Sequence, residues 1–316
     1  MNVGVIGAGA VGGSVVELAG DYGHTITAFA DSQSAVVDGD GIDAQAALER
    51  KARDGIVGDA DPEDAITGAY DVLVEATPTT LGDAQPGFGH VETALERDRH
   101  DVLANKGPVA ERYGEVRALE AESDGTVLFE ATVGGAMPVL STIADFDPEH
   151  ISAVRGVLNG TANFILSRMS AEGLGYEHVL AEAQDLGVAE ADPTFDVDGT
   201  DAALKGVIVA NVLADDGAEY TLDDADVDGI QDITGSALEL AQEDGRTVRL
   251  IAEVSAGEVR VGPRLVPENA PLAPTGTRNI VQLETEHAGR LNISGRGAGG
   301  PETASAVLAD VGRLED

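Results

Sequence analysis

The first twenty residues, MNVGVIGAGAVGGSVVELAG, place a glycine-rich loop between a β-branched run and a helix-like run. The loop has the pattern G-x-G-x-x-G and includes Gly7, Gly9, Ala10, Val11 and Gly12. The first glycine of such a loop allows a tight turn, the second lets the backbone approach a pyrophosphate, and the third allows close helix packing. The order of strand, loop and helix matters, because a chain with 40 glycines can match the bare pattern by chance. Together these features predict the phosphate-binding turn of a dinucleotide site.

Short β-branched runs alternate with helix-like stretches through the first part of the chain. The runs cover residues 2–7, 24–30, 71–76, 101–104 and 126–130. This alternation predicts a parallel sheet with crossover helices, and hence a Rossmann-like, doubly wound α/β domain over residues 1–133. Asp31 ends the second run, about 20 residues past the glycine loop, where an acid binds the ribose of the dinucleotide.

The pattern changes after residue 133. Helix-like patterns cover 162–171, 176–186, 200–213 and 233–243, and strand-like runs follow within 249–255, 258–266, 279–286 and 290–295. We therefore expect a second, α+β domain over residues 134–299. Residues 300–316 read as a helix with Pro301 near its start, and we expect this helix to pack back on the first domain.

The chain is strongly acidic, with 57 acidic and 19 basic residues and a formal net charge of -38. This charge repels nucleic acid and anionic membranes, so neither is an expected partner. The acids are spread evenly and lysine is rare, which suggests a halophilic protein whose self-repulsion is screened by molar salt. The absence of cysteine excludes disulfides, thiolate metal sites and a cysteine nucleophile. The apolar runs are short and no leader precedes the first strand, so we expect a cytoplasmic protein.

The segment AEADPTFDVDGTDAALK, residues 189–205, surrounds one lysine with acids. The acids are Glu190, Asp192, Asp196, Asp198 and Asp201. A solvated acidic face is one interpretation. A calcium loop is another, but the segment lacks the glycine spacing and the terminal glutamate of an EF-hand. In the third, carboxylates hold a substrate ammonium while Lys205, one turn after Asp201, serves a reacting oxygen.

The rarity of lysine favours the third interpretation. The chain has three lysines, and those that remain in so acidic a protein are enriched where arginine cannot substitute. Lys106 follows a predicted strand at its carboxyl end, where ligands bind in open parallel sheets. Lys51 alone falls outside a motif. In GVLNGTANFILSRM, Asn159 or Thr161 can cap the following helix, and a simple capping role suffices to explain both.

The motifs GAGAVGG, EATPT, ANKGPVA, EATVGGAMP, GVLNGTANFIL, AQDLGVAEADPTFDVDGTDAALK and GRGAGGPETASAVLADV together resemble, in this order, those of homoserine dehydrogenases. They run from residue 7 to residue 311. Val188 stands where the family often has an aromatic residue, and Ala136 replaces a glycine; neither position supplies a side chain that the chemistry needs. The sequence stops soon after the last motif, so we expect neither the C-terminal regulatory domain nor the fused aspartate kinase of some relatives, and no allosteric inhibition by threonine.

The resemblance implies reversible hydride transfer between NAD(P)H and L-aspartate 4-semialdehyde, which gives L-homoserine. By resemblance Lys205 donates the proton to the developing alkoxide and Asp201 orients it. Lys106 is then expected beside the nicotinamide and the substrate oxygen. Glu190 is expected to bind the substrate ammonium, with Asp196 nearby. Backbone amides near Thr161 are one candidate for the substrate carboxylate.

The resemblance also extends the cofactor and ion sites. It adds Thr77 and Gly297 to the expected cofactor contacts, which already include the glycine loop, Asp31 and Lys106. A sodium ion is expected at Glu130 and the carbonyl groups of three neighbours, namely Val133, Gly135 and Met137, although the segment EATVGGAM is equally consistent with a hinge where the chain crosses between the domains. NAD is slightly favoured over NADP because DSQSA, after the second strand, offers no arginine for a 2′-phosphate. A homodimer through the strands of the second domain is expected as well.

Two other functions remain open from the residues. One is a different amino-acid-linked dehydrogenase, such as an aspartate or saccharopine type, which would keep the glycine loop but has no need for the Asp201–Lys205 pair. The other is a non-catalytic NAD(H) sensor, although the sequence contains no DNA-binding module. Consumption of NADH in the presence of aspartate semialdehyde separates the three.

Overall fold

The computed structural model describes residues 1–214 and 217–314. These residues form two compact units, one made of residues 1–136 with the chain from residue 298 onward, and the other of residues 137–297. The sequence-based boundaries fall at 133/134 and 299/300. None of the helices in the described residues has the length and apolar character of a membrane span.

The first unit is built on a six-stranded sheet. Its strands are β1 (Asn2–Ile6), β2 (Thr25–Ala30), β3 (Ala35–Val37), β4 (Val72–Glu75), β5 (His100–Leu103) and β6 (Val127–Leu128). The order is β3-β2-β1-β4-β5-β6, and all neighbours are parallel except β3, which runs antiparallel to β2. The predicted Rossmann-like fold is confirmed. The three-residue strand β3 is an addition that no sequence run indicated.

Helices connect these strands on both faces of the sheet. They are α1 (Ala10–Leu18), α2 (Ala44–Asp54), α3 (Pro62–Ile66), α4 (Gly87–Leu95), α5 (Gly107–Glu111), α6 (Tyr113–Ala121) and α7 (Ala131–Gly134). Central strands are covered on both sides, and accordingly β1 and β4 are runs of valine, isoleucine and leucine with little exposure. The direction of winding reverses between β1 and β4, so their carboxyl ends form the crevice in which such sheets bind ligands.

The second unit is also built on six strands, and helices cover one face of the sheet. The helices are α8 (Val139–Phe146), α9 (Gly160–Glu172), α10 (Tyr176–Asp185), α11 (Thr194–Val197), α12 (Thr200–Leu213) and α13 (Gly235–Glu243). The strands are β7 (Ile151–Val157), β8 (Ala225–Val227), β9 (Arg246–Ser255), β10 (Glu258–Pro267), β11 (Arg278–Thr285) and β12 (Gly289–Arg296). Their order is β12-β11-β7-β9-β10-β8, antiparallel except for β8 beside β10.

Helix α12 occupies the centre of this unit. It packs on β9 and β10, and its residues from Asp201 to Asn211 are all buried. A helix that is buried on every side is apolar on every side, so the two charged residues Asp201 and Lys205 stand out.

The last described helix, α14 (Gly300–Arg313), returns to the first unit and packs on α1. Gly300 makes this contact close, since a Cβ there would come within 2.7 Å of Ala10 O and of Ser14 Oγ. Val307 and Val311 of α14 join Val15 and Val16 of α1 in one apolar cluster. The final two residues of the predicted 300–316 helix lie outside the described residues.

Candidate active site

The glycine loop after β1 has the geometry that each glycine predicts. Gly7 has φ +111°, and a Cβ there would lie 2.4 Å from Ala76 O. A Cβ on Gly12 would lie 1.8 Å from Gly7 O, so both positions need glycine. Gly9 precedes the first turn of α1, and a Cβ there would meet nothing within 4 Å. The loop therefore leaves open space at the end of α1, which suits a pyrophosphate held by backbone amides.

Thr77 and Lys106 lie in the loops that follow β4 and β5, and a buried carboxylate joins these loops. Glu75, fully buried, accepts hydrogen bonds from Thr77 N at 2.9 Å, from Thr77 Oγ1, and from Asn105 Nδ2 at 3.2 Å. Asn105 Oδ1 in turn accepts from Gly107 N at 2.9 Å. Glu75 and Asn105 thus fix the backbone on either side of Lys106. Sequence reasoning missed both, although each is a polar residue at the carboxyl end of a parallel strand.

Asp31 directly follows β2, and it has a partner that the sequence did not indicate. Its Oδ1 accepts hydrogen bonds from Gln33 N at 2.7 Å and Ser34 N at 2.8 Å, and its Oδ2 lies 2.7 Å from Lys51 Nζ. Burial by itself would raise the pKa of Asp31, but the Lys51 ammonium and the two amides outweigh burial and lower that pKa. Lys51, which appeared to lie outside any motif, therefore reaches from α2 to Asp31, the acid expected at the ribose.

In the second unit, the predicted pair Lys205 and Asp201 is present and buried. The two residues are 6% and 7% exposed, and Lys205 Nζ lies 2.7 Å from Asp201 Oδ2. The same ammonium donates to Leu158 O at 2.6 Å, at the end of β7. Two of the three N–H donors of the ammonium are thereby directed by acceptors on different elements. The pair is therefore not part of a solvated acidic face, although Glu190 and Asp192 of the same segment are exposed.

Asn159 links the helix cap to the lysine site. Its Oδ1 accepts from Ala162 N at 2.8 Å and caps α9, whereas its Nδ2 donates to Asp196 at 2.6 Å and to Asp201 at 3.0 Å. One amide therefore holds two carboxylates that would otherwise repel each other. The capping role expected of Asn159 is present, and the same side chain also orients Asp201.

The other predicted substrate residues divide into two groups. Asp196 contacts the lysine cluster through Asn159, and Thr161 Oγ1 donates to Val188 O at 3.1 Å. Glu190 is exposed, and Gln184 Nε2 donates to its backbone oxygen at 3.1 Å. Within the described residues the structure does not place the Glu190 carboxylate in a hydrogen bond with the Lys205 cluster.

Gly297, a predicted cofactor residue, makes a tight contact within the second unit. A Cβ there would lie 1.9 Å from Asn279 Nδ2. Asn279 is 1% exposed and donates to Leu158 O at 2.9 Å, so that carbonyl receives both Asn279 and Lys205. The position of Asn279 on β11, distant in sequence from the lysine motif, gave no signal of this link.

Three of the predicted sodium ligands lie in the first unit, at α7. Glu130 precedes this helix and is 4% exposed, Val133 is within it, and Gly135 follows it with φ +56°. Glu130 N donates to Asp310 Oδ2 at 2.8 Å. Burial, with a contribution from the nearby Glu130 charge, raises the pKa of Asp310 to about 6. Met137 is buried in the second unit.

Three features define the class of protein as a two-domain NAD(P)-dependent oxidoreductase. They are the glycine loop on a doubly wound sheet, the acid at the end of β2 and the buried lysine–carboxylate pair. The family model for homoserine dehydrogenase matches residues 138–311. The model for glutamate/leucine/phenylalanine/valine dehydrogenase matches residues 1–79, which contain the glycine loop and β2. The chain belongs to the homoserine dehydrogenase family.

Individual relatives agree with this assignment. A homoserine dehydrogenase of Methanocaldococcus jannaschii is 38% identical over 330 residues, with 98% of this chain and 97% of the relative covered. An NAD(+)-dependent homoserine dehydrogenase of Pseudomonas canavaninivorans is 37% identical, with 76% of this chain and 70% of the relative covered.

Solved structures extend the similarity to the fold. One from Archaeoglobus fulgidus, provisionally named a homoserine dehydrogenase, superposes with a TM-score of 0.91 at 40% identity and covers 99% of both chains. A hyperthermophilic archaeal homoserine dehydrogenase in complex with NADPH gives a TM-score of 0.85 at 27% identity, with 100% of this chain and 98% of that chain covered.

Proposed function

We propose that the protein catalyses the reversible reduction of L-aspartate 4-semialdehyde to L-homoserine with NAD(P)H. The observation that carries the proposal is the buried Lys205–Asp201 pair, held by Leu158 O at the end of β7. The test is to measure initial rates in molar KCl in both directions. A dehydrogenase for another amino acid would consume NADH with a different substrate, and a sensor would bind NADH without consuming it.

The chemistry assigned to Lys205 is a single proton transfer. Bound NAD(P)H supplies the hydride to the aldehyde carbon. As the carbonyl oxygen gains charge, Lys205 Nζ gives it a proton, and in the reverse direction it accepts that proton from the homoserine hydroxyl. Asp201 and Leu158 O set the direction of the ammonium before the reaction, so little reorganisation is needed when the charge develops. Lys106 adds a second cation near the substrate oxygen in this proposal.

Substrate selection is assigned to the acids around this pair. Asp196, which Asn159 holds close to Asp201, is a suitable partner for the substrate ammonium. Glu190 is the second partner, and its exposed side chain must turn towards the ammonium when homoserine binds. Amides at the start of α9, next to Thr161, are proposed to hold the carboxylate. Glu190→Gln should therefore raise KM for homoserine more than it lowers kcat.

Cofactor preference is proposed to depend on Asp31 and Lys51 together. Asp31 can accept a hydrogen bond from the ribose 2′-hydroxyl of NAD, which favours NAD. Lys51, 2.7 Å from Asp31, can pair with the 2′-phosphate of NADP instead. We therefore propose that NAD is an effective cofactor and that NADP is also used. Comparison of kcat/KM for NAD+ and NADP+ tests this, and an NADP+ efficiency tenfold above that of NAD+ would contradict it.

The sodium ion is proposed on the family resemblance, with support from the donor type. A buried carboxylate such as Glu130 and backbone carbonyls are the oxygen ligands that hard cations prefer. Glu130 with the carbonyls of Val133, Gly135 and Met137 would hold the ion and fix the chain on either side of α7. Replacement of NaCl by the chloride of a large organic cation at constant ionic strength should lower activity, whereas Glu130→Gln should abolish that dependence.

Three further properties are proposed for the whole protein. It is halophilic, because a net charge of -38 destabilises the compact state unless salt screens it. It is a homodimer through the strands of the second unit, which sedimentation in KCl would test. It is cytoplasmic, since the reaction draws on the cell's NAD(P) pool, and fractionation of the source cells would test this.

A further inference from the structure

Two histidines and one glutamate meet on the surface of the second unit, away from the lysine cluster. The described residues, 1–214 and 217–314, contain one group of three His, Asp or Glu side chains close enough to share an ion. It consists of His150, Glu286 and His287, and the ligand atoms of these residues all lie within 4.8 Å of one another. The sequence has six histidines, so one third of them meet here. The proposed dehydrogenase reaction uses none of the three residues.

The distances suit coordination of a small ion. His150 Nδ1 lies 3.1 Å from Glu286 Oε2, and His287 Nε2 lies 3.7 Å from the same oxygen. Ligand atoms about 2.0–2.2 Å from a metal are roughly 3.3 Å apart in a tetrahedral site. The two imidazole rings are tilted by 51° with centroids 5.4 Å apart, so they are not stacked and both nitrogens can face one point.

The backbone that carries the three side chains is held by hydrogen bonds. His150 ends the 3-10 turn Pro148–His150, and its N–H donates to Asp147 O at 3.0 Å. Glu286 N donates to His150 O at 2.9 Å, which extends the pairing of β7 with β11. Thr285 Oγ1 donates to Gly289 O at 2.7 Å and closes the turn between β11 and β12. The ligands therefore project from two turns already joined to each other, and binding requires side-chain rotation only.

We propose that His150, Glu286 and His287 form a binding site for a divalent transition-metal ion such as Zn²⁺ or Ni²⁺. Imidazole nitrogens select these ions over Mg²⁺ and Ca²⁺, which prefer oxygen ligands alone. Three protein ligands leave at least one position for water, so the site is open. The bound ion would join the turn before β7 to the turn between β11 and β12, and would stabilise the folded state by an amount that grows with the logarithm of the free ion concentration above its Kd.

The test is titration of the full-length protein with ZnCl₂ and with NiCl₂ at neutral pH in molar KCl, after chelator treatment. His178, an exposed histidine on α10, supplies the matched control. We expect about one equivalent to bind the wild type and His178→Ala alike. His287→Ala should weaken binding at least tenfold, and His150→Ala with His287→Ala should abolish it, with homoserine oxidation unchanged in all.

A competing ion completes the design. A tenfold excess of Mg²⁺ should not displace Zn²⁺. Absence of binding to the wild type would overturn the proposal. The proposal would also be overturned if the double variant bound Zn²⁺ with the affinity of the wild type, or if Mg²⁺ displaced Zn²⁺. Either result would mean that the acidic surface at large holds the ion and that the histidine contacts are ordinary hydrogen bonds.

Discussion

Replacement of Lys205 by arginine tests whether Lys205 acts as a proton donor or only as the cation of a structural ion pair. Arginine keeps the positive charge opposite Asp201, which lies 2.7 Å from Lys205 Nζ, but it does not give up its proton at working pH. General acid catalysis contributes about 10²–10⁴ in rate, or roughly 3–5 kcal/mol. We therefore expect Lys205→Arg to lower kcat by about 10²-fold or more, with dinucleotide affinity unchanged.

The choice of arginine follows from the burial of the pair. Lys205→Ala would leave Asp201, 7% exposed, without its cation, and breaking a buried pair costs about 3–5 kcal/mol of stability. That loss is a large part of the roughly 5–15 kcal/mol that holds a typical domain folded. A combined Lys205→Met and Asp201→Asn variant removes both charges and keeps similar volumes, so it provides a folded reference without a donor.

The assay combines steady-state kinetics with a measure of folding. Homoserine oxidation gives kcat and KM, fluorescence titration gives the NADH dissociation constant, and thermal melting in KCl reports the fold. If Lys205→Arg retains near-native kcat in a folded protein, the proton-donor role is wrong and Lys106 becomes the candidate.

Other parts of the molecule give four further predictions. Asn279→Ala should lower kcat while NADH affinity stays constant, because Leu158 O loses one of its two donors; unchanged kcat would show that Asn279 only packs. Asp31→Ser should reduce the ratio of kcat/KM for NAD+ to that for NADP+, and Lys51→Ala should lower kcat/KM for NADP+ more than for NAD+. If each substitution changes kcat/KM equally for the two cofactors, Asp31 and Lys51 do not determine cofactor preference. The raised pKa of Asp310, about 6, means that the folded state binds this proton more tightly than the unfolded state, so the contribution of Asp310 to stability is full below about pH 4 and lost as the pH rises through 6. Asp310→Asn should therefore weaken the change in melting temperature between pH 5 and pH 7, and an identical pH profile would contradict this. Activity and melting temperature should both rise towards molar KCl, where the Debye length is about 3 Å, and full stability in dilute buffer would exclude halophily.

Regular patterns in the sequence were sufficient to predict most of the fold. The valine-rich runs of β1 and β4, the glycine loop and four helices of the second unit (α9, α10, α12 and α13) each have a local signal that burial and backbone geometry impose. The three-residue strands β3 and β8 have no such signal, because their pairing depends on neighbours distant in the chain. The pair Asp201 and Lys205 was predictable because one helical turn fixes their contact.

The remaining contacts of the candidate site were not predictable from local spacing. Lys51 reaches Asp31 from a helix that begins more than ten residues later, and Asn279 reaches Leu158 O from the neighbouring strand β11, more than 100 residues along the chain. Glu75 joins two loops that only the sheet brings together. In each case the partner is set by strand order and register, which a single sequence does not specify. The exposed position of Glu190 likewise reflects a loop conformation rather than a residue pattern.

The return of α14 to α1 has a consequence for the order in which the protein is made. The nucleotide-binding sheet leaves the ribosome before the second unit, but the helix that covers Val15 and Val16 emerges only after that unit. At about 5–20 residues per second, synthesis of the intervening second unit takes roughly 10–30 s. During that interval the outer face of α1 remains uncovered, and the second unit, being continuous in sequence, can complete its fold before the first. A nascent chain arrested before residue 298 should therefore expose apolar surface at α1 and recruit chaperones there.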